Sequence, residues 1–490
     1  MAISRRHLLA GSLSGAGILL LSACTEPSPG PTASRAPQTP TPTPTTPLPG
    51  ITPTAFRRSS WGTDPYAYGS ASRLTASSTD ADRTTLRGSL ADKLFFAGEA
   101  VAATEPGTVM GARSSGLQAA AEVAAVAQPG ERIAVVGAGM AGATAARDLA
   151  DRGFDVVVVE ARHRIGGRIA SYTGDEWPIE VQLGVSTLFG DGARALTTLL
   201  EAGGVTQVPL TATQTARAGS TTSAAPASGS VLRALAEAES WAAKRGGVTV
   251  AEALTSSGAA GRLSSTPDAA GVSDRDRLAF VLDDLVPARF GLQPDALSGS
   301  VLDETLVPGD ATLVTKGFAD YITAQLRDLD VLRGSNVTQI DYGNEGVGLR
   351  LVTGESLSAD RVVSTIPLGV LQKRKVVFRP ALPDDHLAAI DALGMGVQDV
   401  LWLRFDQRYW STDASVWAVL DESATYRTWL NLEPATGFPI LVAVTGGDSA
   451  AETEKLSDTD ARNAALGSIV GYFDLMPATS SPTPAPTPSG

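Results

Sequence analysis

The stretch from Arg132 to Arg168, RIAVVGAGMAGATAARDLADRGFDVVVVEARHRIGGR, leaves little choice of fold. It opens on a short apolar run, Ile133 to Val136, which reads as a buried parallel strand. Gly137, Gly139 and Gly142 follow in G-x-G-x-x-G spacing. Ala141 to Arg152 is rich in alanine and reads as a helix that Gly153 stops. Val156 to Val159 is a second buried strand, with Glu160 at its carboxyl end. This is the order of a dinucleotide-binding βαβ unit. Gly137 permits the tight turn, Gly139 lets backbone approach a pyrophosphate, and Gly142 lets the helix pack on the strand. The helix N-terminus faces the phosphates, and Glu160 accepts from ribose hydroxyls.

The residues that follow select the dinucleotide. Glu160-Ala-Arg162-His-Arg-Ile-Gly166-Gly167-Arg168 resembles the E-A-R-x-R-x-G-G-R stretch of the flavin-dependent amine oxidase superfamily, which includes monoamine, polyamine and L-amino-acid oxidases. The resemblance implies FAD rather than NAD. It brings the backbone of Gly166 and Gly167 close to the cofactor and puts Arg168 near its phosphates and ribityl chain, and it adds Arg162 to the cofactor-binding set.

The N-terminus reads as an address. Ser4-Arg5-Arg6-His7-Leu8-Leu9 resembles a twin-arginine export signal, and Leu8 to Leu21 is an apolar run too short and glycine-interrupted to span a membrane. Leu21-Ser22-Ala23-Cys24 resembles a bacterial lipobox, in which the thiol of Cys24 takes a lipid. The expectation is an exported protein, anchored by lipid on the outer face of the cell membrane. Cys24 is the single cysteine, which excludes an internal disulfide and, with that thiol committed, a cysteine thioether to the flavin. FAD is therefore expected to bind non-covalently. Residues 25–54 are rich in Pro, Thr, Ser and Gly and read as an extended tether; residues 478–490 have the same composition and read as a disordered tail. A net charge of -13 with no basic cluster argues against nucleic acid and against an electrostatic membrane patch.

Three further stretches resemble the same family but stand in an unusual place. Trp61-Gly-Thr-Asp64-Pro65-Tyr66-Ala-Tyr68-Gly69-Ser70 resembles its W-x-x-D-P-Y-x-x-G-S stretch. Leu94-Phe95-Phe96-Ala97-Gly98-Glu99 resembles its F-A-G-E strand. Gly107-Thr108-Val109-Met110-Gly111-Ala112-Arg113-Ser114-Ser115-Gly116 resembles the turn that opens its last helix. In the family these lie at the C-terminal end of the catalytic region; here they precede the glycine fingerprint. The remaining family pattern runs in its usual order from Arg132 and stops near Tyr472. A circular permutation follows, with the old last helix joined to the old first strand through Gln128-Pro129-Gly130. The resemblance places Gly98 and Glu99 toward the ribityl-phosphate region, and it makes Thr108 and Val109 the start of a helix whose N–H groups face the flavin pyrimidine.

Ile179 to Gly190 resembles the family stretch E-L-G-A-x-W-I-H-G beside the flavin, with Gln182, Thr187 and Phe189 replacing the usual Glu, Trp and His. The backbone of Gly184, Val185 and Ser186 is expected to line FAD. Thr211 to Ser230 reads as a flexible insertion, and Val231 to Lys244 and Asp274 to Leu285 as helices. Asn336 to Ile340 resembles the strand whose backbone, at Val337, pairs with adenine. Val362 to Leu371 resembles the V-x-T-x-P-L-G-V-L strand and turn, here read as core. In Leu393 to Phe405 the family lysine that holds a water at flavin N5 is replaced by Val400, which leaves the catalytic residue unknown. None of His7, His163 and His386 reads as catalytic, and His386 is expected on a solvated helix face. No metal-ligand cluster is visible.

The expected fold is α/β: a circularly permuted FAD-binding domain of Rossmann type (residues 55–190 and 307–375) with an α+β substrate domain (residues 191–306 and 376–477). The expected activity is oxidation of a small amine to an imine by hydride transfer to flavin N5. Two alternatives stand beside it: a flavin dehydrogenase or desaturase that uses a non-oxygen acceptor, and an FAD-bound envelope scaffold without catalysis.

Overall fold

A computed structural model describes residues 51–185, 187–211, 214–217, 226–301, 311–343, 345–470, 472–473 and 475. Its centre is a five-stranded sheet in the order Asp330–Leu332, Asp155–Val159, Arg132–Val136, Arg361–Ser364, Leu94–Phe96, with every neighbour parallel. Alternate residues of each strand feed opposite cores. Ile133, Val135, Val156, Val158, Phe95 and Val363 pack under the helices Val109–Val126 and Met140–Asp151. Ala134, Val136, Val157, Val159, Leu94, Phe96 and Val362 pack against Ile340, Val347 and Leu349 of a four-stranded sheet on the other side. Burial on both faces is why the run Val156 to Val159 shows no alternation.

The two helices touch backbone to backbone. A Cβ on Gly116 would sit 2.3 Å from the carbonyl oxygen of Ala141. A glycine is therefore required there, and the segment before the fingerprint is fastened directly onto it. Leu94–Phe96 and Arg132–Val136 lie in one sheet with Arg361–Ser364 between them.

The substrate side is a six-stranded sheet in the order Ala55–Arg58, Gln398–Arg404, Ile440–Gly446, Thr428–Asn431, Val416–Val419, Gln214–Arg217. One face packs aromatic residues, among them Trp410, Trp417 and Trp429, with the helix Asp458–Val470. The other presents Trp402, Leu430, Val442 and, half-buried, Val400 and Val444. Helices Gly229–Ala243, Val250–Ser256, Asp274–Phe280 and Val286–Phe290 form a third core beside it.

Several expectations change. Ala55–Arg58 pairs antiparallel with Gln398–Arg404, so this strand belongs to the substrate sheet. Val377–Arg379 pairs with Val337–Gly343, and Ala389 and Ile390 of the helix Asp384–Ala392 pack in the core of the nucleotide domain. The chain therefore crosses to the substrate sheet after Leu393, not at residue 376. Within the expected flexible insertion, Gln214–Arg217 forms an edge strand parallel to Val416–Val419. The expected helix from Asp274 is interrupted by a π-turn at Val281–Leu285. His386 is not solvated: it is 5% exposed, its Nε2 lies 3.2 Å from the Gly88 carbonyl, and its ring meets Phe96. A helix face that reads as polar from its neighbours Asp384 and Asp385 is here pressed against the helix Asp80–Arg87. Ile51, expected in the tether, is 3% exposed and shares an apolar cluster with Leu475. The signal residues Arg5 and Arg6, Cys24, Ser186 and the tail 478–490 lie outside the described residues. Among the described residues no helix is long and apolar enough to cross a membrane.

Candidate active site

A cavity of about 470 Å³ runs from the fingerprint glycines to the substrate sheet. At its nucleotide end Gly137 has φ +107°, a conformation that favours glycine. Gly142 does not line the cavity; its Cβ would fall 1.9 Å from the Gly137 carbonyl oxygen, so it serves helix-on-strand packing. Gly139 differs. A Cβ there would meet no protein atom closer than 3.8 Å and would stand at the cavity wall. The protein itself does not demand glycine at 139; a ligand against the backbone does. Gly139 also caps the helix Met140–Asp151 without a side-chain hydrogen bond, so the first N–H groups of that helix open on a cavity lined by Met140 and Ala141. An uncapped helix start is an anion site.

Glu160 is buried, with Oε2 accepting from Ala138 N at 2.7 Å and Oε1 from Arg162 N at 2.8 Å. Each oxygen keeps lone pairs for a ribose hydroxyl. Gly166 and Gly167 have φ +103° and +59°, and Gly166 N donates to the Ala138 carbonyl at 2.9 Å, which lays the second glycine pair across the first. Val337 lines the same end.

Arg162 lines the cavity, but its guanidinium is committed elsewhere. It forms a bidentate pair with Asp64 at 2.8 and 2.6 Å and lies over the Tyr66 ring. Its part is to clamp the Trp61–Ser70 segment onto the fingerprint loop. Trp61 completes the clamp, donating Nε1–H to the Leu183 carbonyl at 2.8 Å.

Arg168 reaches the Ser70 carbonyl at 2.9 Å and Glu99 Oε1 at 2.8 Å. Glu99 also accepts from the Ser72 hydroxyl at 2.6 Å and faces Arg83. Burial pushes its carboxyl up, yet Arg168, Ser72 and Arg83 together hold it below the usual carboxylate range. Gly98, at φ +133°, turns the chain from strand to this carboxylate. Thr108 caps the helix that starts at Val109, accepting from Gly111 N at 3.0 Å. Gly184 runs so close to Arg168 that a Cβ would meet its carbonyl at 1.8 Å, and Val185 lines the cavity.

The other end of the cavity is mainly apolar. Val400, Val444 and Thr428 stand side by side on three neighbouring strands, with Leu430 beyond and Leu285 and Ala288 opposite. Val400 thus faces the cavity. Arg404 does not line it; its guanidinium donates to the Glu176 carbonyl. Lys316 is exposed and does not line it either. Sequence reading missed Asp64 as the partner of Arg162, and it missed Thr428, Arg73, Arg289 and Gln398 on the cavity wall. Asp64 had a signal in its motif; the others had none.

The residues present fit FAD: an uncapped helix start and a glycine that only a ligand explains at one end, a second helix start at the other, and a cavity joining them. No cysteine lies between residues 25 and 490, so the flavin is held without a thioether.

The comparisons agree with this geometry. The family model described as flavin containing amine oxidoreductase matches residues 48–124 and 302–484, and an NAD(P)-binding Rossmann-like model matches 135–202. Polyamine oxidase 2 of Arabidopsis thaliana is 33% identical over 178 residues, 36% of this chain and 36% of that protein. Human lysine-specific histone demethylase 2 is 28% identical over 172 residues, 34% of this chain and 21% of that protein. The aligned stretch thus spans about a third of the plant relative and less of the human one. Two solved structures share the fold: putrescine oxidase bound to putrescine (TM-score 0.54, 19% identity, covering 71% of this chain and 82% of that one) and cyclohexylamine oxidase from Brevibacterium oxydans (TM-score 0.55, 19% identity, 70% and 82%). With the first family model matching more than half of its length, the chain belongs to the flavin-containing amine oxidoreductases.

Proposed function

We propose that the protein oxidises a small amine to an imine with non-covalent FAD as the two-electron acceptor. The observation behind this is the continuity of the cavity: one space holds the dinucleotide cradle and, at its far end, an apolar cell walled by Val400, Val444, Leu430, Leu285 and Ala288. Such walls exclude water and receive a hydrocarbon chain. The Arg168–Glu99 pair and the start of the helix at Val109 would hold the flavin, which supplies the two-electron acceptor. The names of the relatives, polyamine, putrescine and cyclohexylamine oxidases, set the first panel of amines to try. Anaerobic mixing of the yellow enzyme with that panel tests the reading. Bleaching of the flavin by at least one amine is expected; none bleaching, with FAD bound, favours the scaffold alternative.

Val400 supports a second reading, a dehydrogenase that passes electrons to a quinone or a protein rather than to oxygen. A cation beside the reduced flavin stabilises the superoxide formed in the first electron transfer to O2. At this position the charge is absent, and neither Arg404 nor Lys316 lines the cavity; Arg73 and Arg289, which do, stand on other elements, the strand Ala71–Arg73 and the helix Val286–Phe290. Stopped-flow mixing of photoreduced enzyme with O2 is expected to show slow reoxidation that Val400→Lys accelerates at least tenfold. Fast native reoxidation unchanged by the substitution refutes it.

The chain order is, in this proposal, a circular permutation of the family. Its support is the shared sheet of Leu94–Phe96 and Arg132–Val136 and the shared cluster of Ile51 and Leu475. Export through the twin-arginine route and a lipid on Cys24 complete the proposal, resting on Arg5, Arg6 and the Leu21–Cys24 stretch. Cys24→Ala is expected to release the protein from the membrane fraction.

A further inference from the structure

Asp284 is a buried carboxyl that nothing above uses. It is 5% exposed and lies in the π-turn Val281–Leu285, between the helices Asp274–Phe280 and Val286–Phe290. Such turns insert a residue into a helix and frequently sit at functional sites. Its Oδ2 accepts a hydrogen bond from the Thr428 hydroxyl. Two charged groups face it: Arg427, which draws the carboxyl down, and Asp283, which pushes it up. Arg427 is tied back, with Nε on the Val419 carbonyl at 3.1 Å, Nη2 on the Leu420 carbonyl at 2.9 Å, and its guanidinium over the Phe280 ring.

Asp284 does not line the cavity; Thr428 does. A threonine hydroxyl has one proton, and this one points at Asp284. What Thr428 then offers the cavity is oxygen lone pairs alone. An acceptor set in an apolar wall selects a donor, and an ammonium is the donor that also meets a buried negative charge behind the hydroxyl. We propose that Thr428 and Asp284 form the proton-accepting pair of the active site, which takes a proton from the ammonium of the bound substrate. This rests on the amine-oxidation reading.

The step balances without any further reactant. One N–H bond of the ammonium breaks and its electron pair stays on nitrogen. That proton bonds to Thr428 Oγ1 as the Thr428 proton passes to Asp284 Oδ2. An ammonium and a carboxylate become a neutral amine and a carboxylic acid, and a desolvated site favours that exchange of two charges for none. The neutral amine, with its lone pair free, is the form whose α-carbon can give up a hydride. Burial is the largest influence on Asp284 and outweighs Arg427, raising its pKa to about 6. The carboxyl is thus ionised at pH 7 but within reach of a proton. Thr428 would be the catalytic residue and Asp284 the group that positions and discharges it.

The test separates this pair from the amine reading. The probe is tert-butylamine, which carries an ammonium but no α-hydrogen and so cannot be oxidised. It is added to the FAD-loaded enzyme at pH 7.5 and followed by infrared difference spectroscopy. A carboxylic-acid C=O band should appear on binding and be absent in Asp284→Asn. If the probe gives no band in the native protein, the pair is overturned, whether or not any amine bleaches the flavin. With an amine that does bleach it, Thr428→Ser should keep kcat/KM within about fivefold, and Thr428→Val should lose about 100-fold. The native acid limb near pH 6 should be absent in Asp284→Asn. A Thr428→Val enzyme with native rate and an unmoved limb also overturns the pair and leaves the amine reading standing. Failure of every amine to bleach, with the band present, defeats the amine reading alone.

Discussion

Two glycines of the fingerprint, three residues apart, do different things, and substitution should separate them. Gly139→Ala adds a methyl toward the ligand space and none toward protein. The expected outcome is an apo-protein with native circular dichroism and melting, whose FAD affinity has fallen at least tenfold in a fluorescence titration. Gly142→Ala forces a methyl onto the Gly137 carbonyl and should lower the melting temperature with or without FAD. Both roles were legible from spacing alone, because the fingerprint is local. Asp284 was not: its partner Thr428 lies 144 residues away, and an aspartate in a helical stretch reads as solvated. Its raised pKa has a consequence for stability. The ionised form is the one burial disfavours, so stability is greatest below the ordinary carboxyl value near pH 4 and is lost as pH rises through about 6. Asp284→Asn should therefore raise the melting temperature by a few degrees at pH 8 and change it little at pH 4. Buried Asp399 follows the same direction, pushed up first by burial and then by the neighbouring carboxyl of Glu454.

At the scale of elements, the Trp61–Ser70 segment is held by the bidentate Asp64–Arg162 pair, largely shielded from solvent at 19% and 12% side-chain exposure. A double-mutant cycle of Asp64→Asn and Arg162→Gln should show a coupling of about 1–3 kcal/mol by thermal or urea denaturation, well above an exposed pair. Additive effects would mean that the two side chains are independently solvated. Family resemblance put Arg162 at the cofactor, and it does line the cavity; that its guanidinium also pairs with Asp64 is decided by what packs beside it. The strand Ala55–Arg58 shows the same limit. Nothing in four residues, AFRR, tells which of two sheets will take them; the choice is made by Gln398–Arg404, more than 300 residues on. The π-turn was illegible for a related reason, since apolar spacing does not register one inserted residue.

Across the whole molecule, Ile51 and Leu475 belong to one apolar cluster, and the proposed permutation predicts that the ends can be exchanged. A rearranged chain that starts at Glu131, continues to Leu475, and then returns through a short linker to Ile51 and on to Gly130 should fold and bind FAD with affinity within about tenfold of the original. Size-exclusion chromatography and flavin fluorescence check it; an insoluble or flavin-free product counts against the permutation. The α/β class and the parallel sheet were readable because they rest on buried runs and glycine spacing; the identity of the cofactor was carried by the resemblance of Glu160–Arg168 to the family stretch. The domain crossing was not, because Val377–Arg379 is too short to announce the strand it joins.

The strand Arg361–Ser364 is flanked in the sheet by Leu94–Phe96 and Arg132–Val136, both of which precede it by more than 200 residues. As the chain leaves the ribosome, those two strands are made early with a gap between them that no neighbouring segment can fill. The helices Val109–Val126 and Met140–Asp151, close in sequence and in contact, can pair at once; the sheet cannot close until residue 364 has emerged. Synthesis order thus makes Arg361–Ser364 the keystone of the nucleotide domain. A nascent chain halted before it should carry the helical hairpin but no flavin, and one halted far enough beyond it to free the strand from the exit tunnel should be able to close the sheet.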